Sequence, residues 1–173
     1  MSSRRAHFRQ GSGTERRRTT WARFNLPIVV AAAGDYSTVD LLGSFKANGG
    51  VTQGITIART RMVISVASAA ANDPGDQFAI GIIRGQQKDV GVNVTGAPEP
   101  ILDLYEDWAF WDQPTCDTNG HYYPGGGNVF RLDLKAMRKL PELQMNWNVV
   151  VQNATASSSF DVTLTGSVLL MLP

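Results

Sequence analysis

Cys116, Asp117 and His121 fall within one short polar stretch, and a thiol near an imidazole is the pairing that a cysteine nucleophile needs. Such pairs usually draw nucleophile and base from separate elements that fix their geometry. Nothing around Cys116 has the sequence context of a cysteine hydrolase, so the stretch reads as a loop and no catalytic residue is assigned. A second cluster, Asp103, Glu106 and Asp107, sets carboxylates at i, i+3 and i+4, which on a helix share a face as a cation or an acid/base pair would require. No calcium-loop pattern and no paired histidine accompanies it, and it reads as a solvated helix face. His7 and His121 are the only histidines and Cys116 the only cysteine. One chain therefore cannot supply a disulfide, a cysteine zinc cluster or a multi-histidine site, and no metal or cofactor is expected. Gly125, Gly126 and Gly127 lack the spaced pattern and following Lys-Ser/Thr of a phosphate loop and read as a flexible turn.

The remaining chemistry is carried by arginine. Seven of the twelve arginines, Arg4, Arg5, Arg9, Arg16, Arg17, Arg18 and Arg23, lie in the first 23 residues, where Glu15 is the one acid. Residues 1–24 hold a net +6, and residues 25–173, with nine cations against fourteen acids, hold −5. The formal total of +1 conceals this polarity. A guanidinium run set among Gly, Ser and Thr buries too little apolar surface to offset the entropy of ordering it. It is expected to form a disordered arm whose partner is a polyanion. Each guanidinium can make bidentate bonds to phosphate and release condensed counterions, without reading sequence. The competing readings are a solubility tail and a nuclear-import signal. Trp21 and Phe24, at the inner end of the arm, either stack on bases or anchor the arm to the body.

The elements that must position this chemistry read as β. After Asn25, short β-branched runs alternate with Gly, Pro, Asn and Asp, which predicts strands over 26–33, 36–41, 55–59, 61–68, 77–84, 128–134, 145–153 and 160–172. In the last, Phe160, Val162, Leu164, Gly166, Val168, Leu170 and Leu172 share one face. Leu169 and Met171 break the alternation, so this end is expected to be covered on both faces, by the partner sheet or another subunit. The apolar parity changes between Ile57 and Met62, with Arg59 and Arg61 at the changeover, which predicts a bulge or bend. Helices are expected over 102–111, where Leu104, Trp108 and Trp111 are spaced i, i+4, i+7, and over 134–140. Trp108 and Trp111 read as packing residues in the core or at a subunit contact. The expectation is an all-β, two-sheet sandwich or single jelly roll over 25–173, with short helical insertions, behind an arm over 1–24.

Charged residues make up 18% of the chain, below the roughly 25% of an average domain. This suits either extensive subunit contacts or a Thr/Ser/Asn-rich β surface. The sequence lacks a run of about 18 apolar residues and a signal-peptide pattern, so no membrane partner is expected. An amphipathic mitochondrial presequence is disfavoured by the Arg16-Arg17-Arg18 triplet and by few apolar neighbours. The Asn-x-Thr triplets at Asn93 and Asn153 read as chance matches.

An arginine-rich amino terminus leading into a weakly charged β-sandwich resembles the single-jelly-roll capsid proteins of small icosahedral viruses. The resemblance spans the chain and is architectural, without a diagnostic motif. It implies a non-enzymatic, self-assembling shell subunit, found in the virion and in the host cytoplasm or nucleus. It further implies that Arg4, Arg5, Arg9, Arg16, Arg17, Arg18 and Arg23 contact packaged RNA or DNA irrespective of sequence. Trp108, Trp111, Leu169 and Met171 are the candidate subunit-contact residues. The alternatives are a non-viral or phage-accessory nucleic-acid-binding β protein and a phage head-decoration or tail-associated protein.

Overall fold

Period-two alternation of apolar and polar side chains builds most of the molecule. The computed structural model describes residues 18–30, 35–68, 73–85, 108–122, 128–135, 137–141, 145–154 and 159–173. Along them run β1 (Thr19–Val30), β2 (Tyr36–Asp40), α1 (Gly43–Ala47), β3 (Thr56–Ser68), β4 (Phe78–Gly85), β5 (Trp108–Asp112), β6 (Val129–Leu134), β7 (Arg138–Lys139), β8 (Asn146–Asn153) and β9 (Phe160–Met171). All strand pairs are antiparallel. The first sheet has the order β1-β9-β3-β6, with β7 also on β3, and the second the order β2-β8-β4-β5. Setting the two-residue β7 aside, eight strands fill two four-stranded sheets. The chain changes sheet at every step except β4 to β5, so strands next to each other in sequence mostly face each other across the core. This is the jelly roll.

The inward positions of both sheets meet in one core. Phe24, Ile28 and Val30 of β1, Met62, Ile64 and Val66 of β3, and Val162, Leu164, Val168 and Leu170 of β9 pack against Phe78, Ile80 and Ile82 of β4 and Trp147, Val149 and Val151 of β8. Each such side chain contributes about 1.5–3 kcal/mol by leaving water. Trp147 also joins the sheets through a polar bond: its indole N–H donates to the Thr60 hydroxyl over 2.9 Å, with both groups buried. Gly166 permits a close strand approach, because a Cβ there would stand 2.1 Å from the Arg61 carbonyl oxygen.

Four sequence expectations change. β1 begins at Thr19, so residues 19–24, assigned from sequence to the arm, form the first half of a strand. Pairing with β9 from Thr19↔Met171 to Val30↔Phe160 supplies the backbone bonds that composition did not reveal. The two strands expected over 55–59 and 61–68 are the single strand β3, and the foreseen irregularity is a bulge between Ile57 and Arg59. Residues 108–111 are not helical: they belong to β5, paired with β4, and residues 102–107 of that expected helix lie outside the described residues. The expected helix over 134–140 is replaced by the end of β6 and by β7, which pairs with Thr56 and Ile57. Buried Leu140 then exchanges backbone bonds with Ile55 and Gly54. In both places, bonding to an existing strand outweighs a short helical pattern.

Candidate nucleic-acid interface

The strands of the two sheets differ in charge. Those of the first carry six cations (Arg23, Arg59, Arg61, Arg131, Arg138 and Lys139) against Asp133 and Asp161, a net of +4, and those of the second carry Arg84 against Asp40 and Asp112, a net of −1. Antiparallel register arranges the outward residues of the first sheet in rows across the strands. One row reads Trp21, Leu169, Arg59; the next Arg23, Ser167, Arg61, Asp133; the next Asn25, Thr165, Val63, Arg131. Arg59 joins this face through the bulge. Ala58 is the extra residue, so Ile57 points into the core and Arg59 outward, beside Arg61. The two arginines noted in the sequence only as a parity change are thus brought to one surface.

Within the rows, Arg59 forks onto the Asp133 carboxylate through Nε and Nη2. Arg61 Nε approaches the same carboxylate at 3.6 Å. The hydrogen bond from Arg59 holds Asp133 below the usual carboxylate range and in turn raises the Arg59 guanidinium. Arg61 also lies over the Trp21 indole, with Cζ 5.6 Å from the ring centroid, within cation–π range. Arg23 and Arg131, both exposed, form no ion pair among the described residues. An open groove of about 410 Å³ runs between β9, β3 and β6, bordered by Arg61, Arg131, Asp133, Thr165 and Ser167. A second, of about 310 Å³, lies between β1 and α1 and is bordered by Trp21, Arg23, Ser44, Phe45 and Asn48.

Of the arm arginines, Arg4, Arg5, Arg9, Arg16 and Arg17 lie outside the described residues. Arg18 is exposed, and its carbonyl accepts a 2.8 Å bond from the Leu172 N–H. The arm therefore enters at the β1 edge of the cationic sheet. Phe24 is buried in the core and anchors the strand, whereas Trp21 is 43% exposed. The four candidate contact residues do not form one surface. Leu169 and Met171 are half-buried on the outward face of the first sheet. Trp108 and Trp111 lie on the outward face of the second, their rings 4.9 Å apart, against Tyr36, Ile83 and Val150. A bulge at Ala109 puts both tryptophans on that face, and Gly81 leaves room for them, since a Cβ there would stand 2.4 Å from Trp108.

The cysteine loop does not present an activated thiol. Cys116 is buried, and burial, followed by the charges of Asp117, Asp76 and Asp73, pushes its thiol pKa up, the opposite of what a nucleophile requires. Asp117 instead closes the loop. Its carboxylate accepts the His121 and Asn119 N–H groups at 2.9 and 2.8 Å, bonds that lower its pKa. The acidic triad Asp103, Glu106 and Asp107 and the glycines Gly125–Gly127 lie outside the described residues. Among the described residues, no three His, Cys, Asp or Glu side chains gather into a metal site, and no helix is long and apolar enough to cross a membrane. Asn153 is buried at the end of β8, and Asn93 lies outside the described residues.

The chain matches no protein-family model and no curated protein sequence. Solved structures do resemble it. The empty head of Turnip Yellow Mosaic Virus aligns over 100% of this chain and 90% of its own at 10% identity and a TM-score of 0.45. Deformed wing virus, a honeybee pathogen, aligns over 98% and 80% at 9% identity and a TM-score of 0.44. The decameric BFDV capsid protein aligns over 91% and 100% at 10% identity and a TM-score of 0.43. Two of the three are virus structures and one is a capsid protein. At this identity no residue carries over, and the strand order of the chain itself establishes the jelly roll.

Proposed function

We propose that this chain is the subunit of an icosahedral viral shell, and that its arm and the outward face of its first sheet together contact the packaged nucleic acid. The observation that carries this reading is the continuity of charge. The segment before β1, residues 1–18, holds six arginines against Glu15, a net of +5, and runs into β1, the edge strand of the sheet whose strands hold +4, while the other sheet is slightly acidic. Such a molecule can turn one side toward a polyanion and keep its remaining surfaces for neighbouring subunits. Arg4, Arg5, Arg9, Arg16, Arg17, Arg18 and Arg23 act as phosphate contacts, joined by Arg61 and Arg131. Subunit contacts draw on Trp108 and Trp111 and on the exposed Val51 and Met137; Leu169 and Met171, candidates from the sequence, fall on the nucleic-acid side in this reading. The low charge content also favours contact between copies.

Imaging of the purified protein, with its nuclease-protected nucleic acid measured in parallel, tests both halves of the reading. Uniform closed particles containing nucleic acid are expected. Replacing Arg16, Arg17 and Arg18 together by Ala should reduce the packaged nucleic acid. It should also flatten the log–log salt dependence of binding by roughly two units, at about 0.7 per single-strand phosphate. A protein that stays monomeric and binds nucleic acid would favour the accessory-binder alternative. One that assembles without nucleic acid would remove the role of the arm.

A further inference from the structure

We propose that the outward face of the first sheet selects single-stranded over duplex nucleic acid, by stacking one unpaired base on Trp21 while Arg23 holds a phosphate beside it and Arg131 holds one farther along the strand. This rests on the reading above that the chain binds nucleic acid. Trp21 is the observation that calls for a partner. It lies in a well-paired strand, flanked in sequence by Ala22, which is buried, yet it leaves 43% of its own surface in water, whereas Trp147 leaves none. Burying an indole is among the largest apolar gains available to a chain. On this strand the register turns the ring outward, into the cationic rows.

The surroundings of Trp21 specify the chemistry of the partner. Arg61 lies over the ring, so the aromatic surface sits in a positive field, and the 310 Å³ groove that it borders also contains Arg23 and the Phe45 ring. Arg23 and Arg61 face each other across Ser167, two strand spacings or about 10 Å apart. The 410 Å³ groove continues from Arg61 to Arg131. An aromatic platform at one end of a cationic track suits a chain that alternates flat bases with anionic phosphates. A duplex offers the same phosphates but keeps its bases stacked inside, so it gains the charge contacts without the Trp21 contact. Among the described residues, neither Arg23 nor Arg131 pairs with an acid, which leaves both for phosphate.

The test uses the full chain, with a short labelled oligothymidine and a duplex of equal length as probes. Trp21→Ala should lower affinity for the single strand about tenfold, as loss of one base–aromatic stack does, and leave duplex affinity and the salt slope unchanged. Trp21→Phe should restore most of the loss. It should also abolish the tryptophan quenching that oligothymidine produces in the wild-type protein, a readout that stands even if Trp21→Ala misfolds. Arg23→Ala with Arg131→Ala should instead flatten the single-strand salt slope by about 1.4. Unchanged single-strand affinity in Trp21→Ala, an equal loss on duplex, or no Trp21-dependent quenching would overturn the stacking role while leaving arm binding in place. A wild-type protein that bound neither probe would overturn the nucleic-acid reading itself, and this inference with it.

Discussion

The two sheets share a core and a strand count but differ in what their outward faces do. In the second sheet, all eight residues of β8 and the first six of β4 are buried, so its two middle strands are covered on both faces, and Trp108 and Trp111 fold over Gly81 and Ile83 at its β5 edge. In the first sheet, β1 and β6 alternate between inward and more exposed positions along their whole lengths, and the exposed positions gather arginine. The middle strands of one sheet thus use both faces for stability, while the other sheet leaves one face exposed. Substitutions in the second sheet should therefore affect folding, and outward substitutions in the first should affect binding.

Trp147→Ala removes a fully buried indole and leaves the Thr60 hydroxyl without its bond. The expected cost is about 3–5 kcal/mol, read as a large fall in the urea midpoint with nucleic-acid affinity reduced only through unfolding. A loss below about 1 kcal/mol would show that the two sheets are not held together through this residue.

How much of this polarity was legible in the sequence depended on whether the signal was local. The alternation in β9 and the arm's charge are local, and both were readable. The outward cationic face was not, because its residues come from β1, β3, β6 and β7 and become neighbours only through the β1-β9-β3-β6 order. Arg59 and Arg61 were visible as a change of parity, yet that change became a site only when the bulge at Ala58 set them beside Asp133 and Trp21. The helical reading of Trp108 and Trp111 has the same origin. An i, i+3 pair shares a face of a helix, but a bulge at Ala109 gives the same result in a strand. A single sequence cannot separate the two. Nor did the polar residues around Cys116 predict its burial, since it joins the main core through bonding to the distant Gly75 and Asp76.

Asp133→Asn removes the acid that engages Arg59 and Arg61, so single-strand affinity should rise severalfold and the salt slope steepen by up to about 0.7. Stability should move little at neutral pH, as for other exposed pairs. Because the folded chain holds Asp133 below the usual carboxylate range, the pair's contribution is present above the unfolded carboxylate pKa of about 3.9. It is lost as pH falls through the lower native value. Urea midpoints of wild type and Asp133→Asn should therefore converge as the solution is acidified. A gap that widened in acid would reverse the sign assigned to this pair.

The most direct test of the central claim is to cross-link nucleic acid to the protein with ultraviolet light and map the modified peptides by mass spectrometry. The account predicts adducts in the arginine-rich amino terminus and on the outward residues of β1, β3 and β6, with Trp21 among them. Adducts confined to β2, β4, β5 and β8 would contradict it.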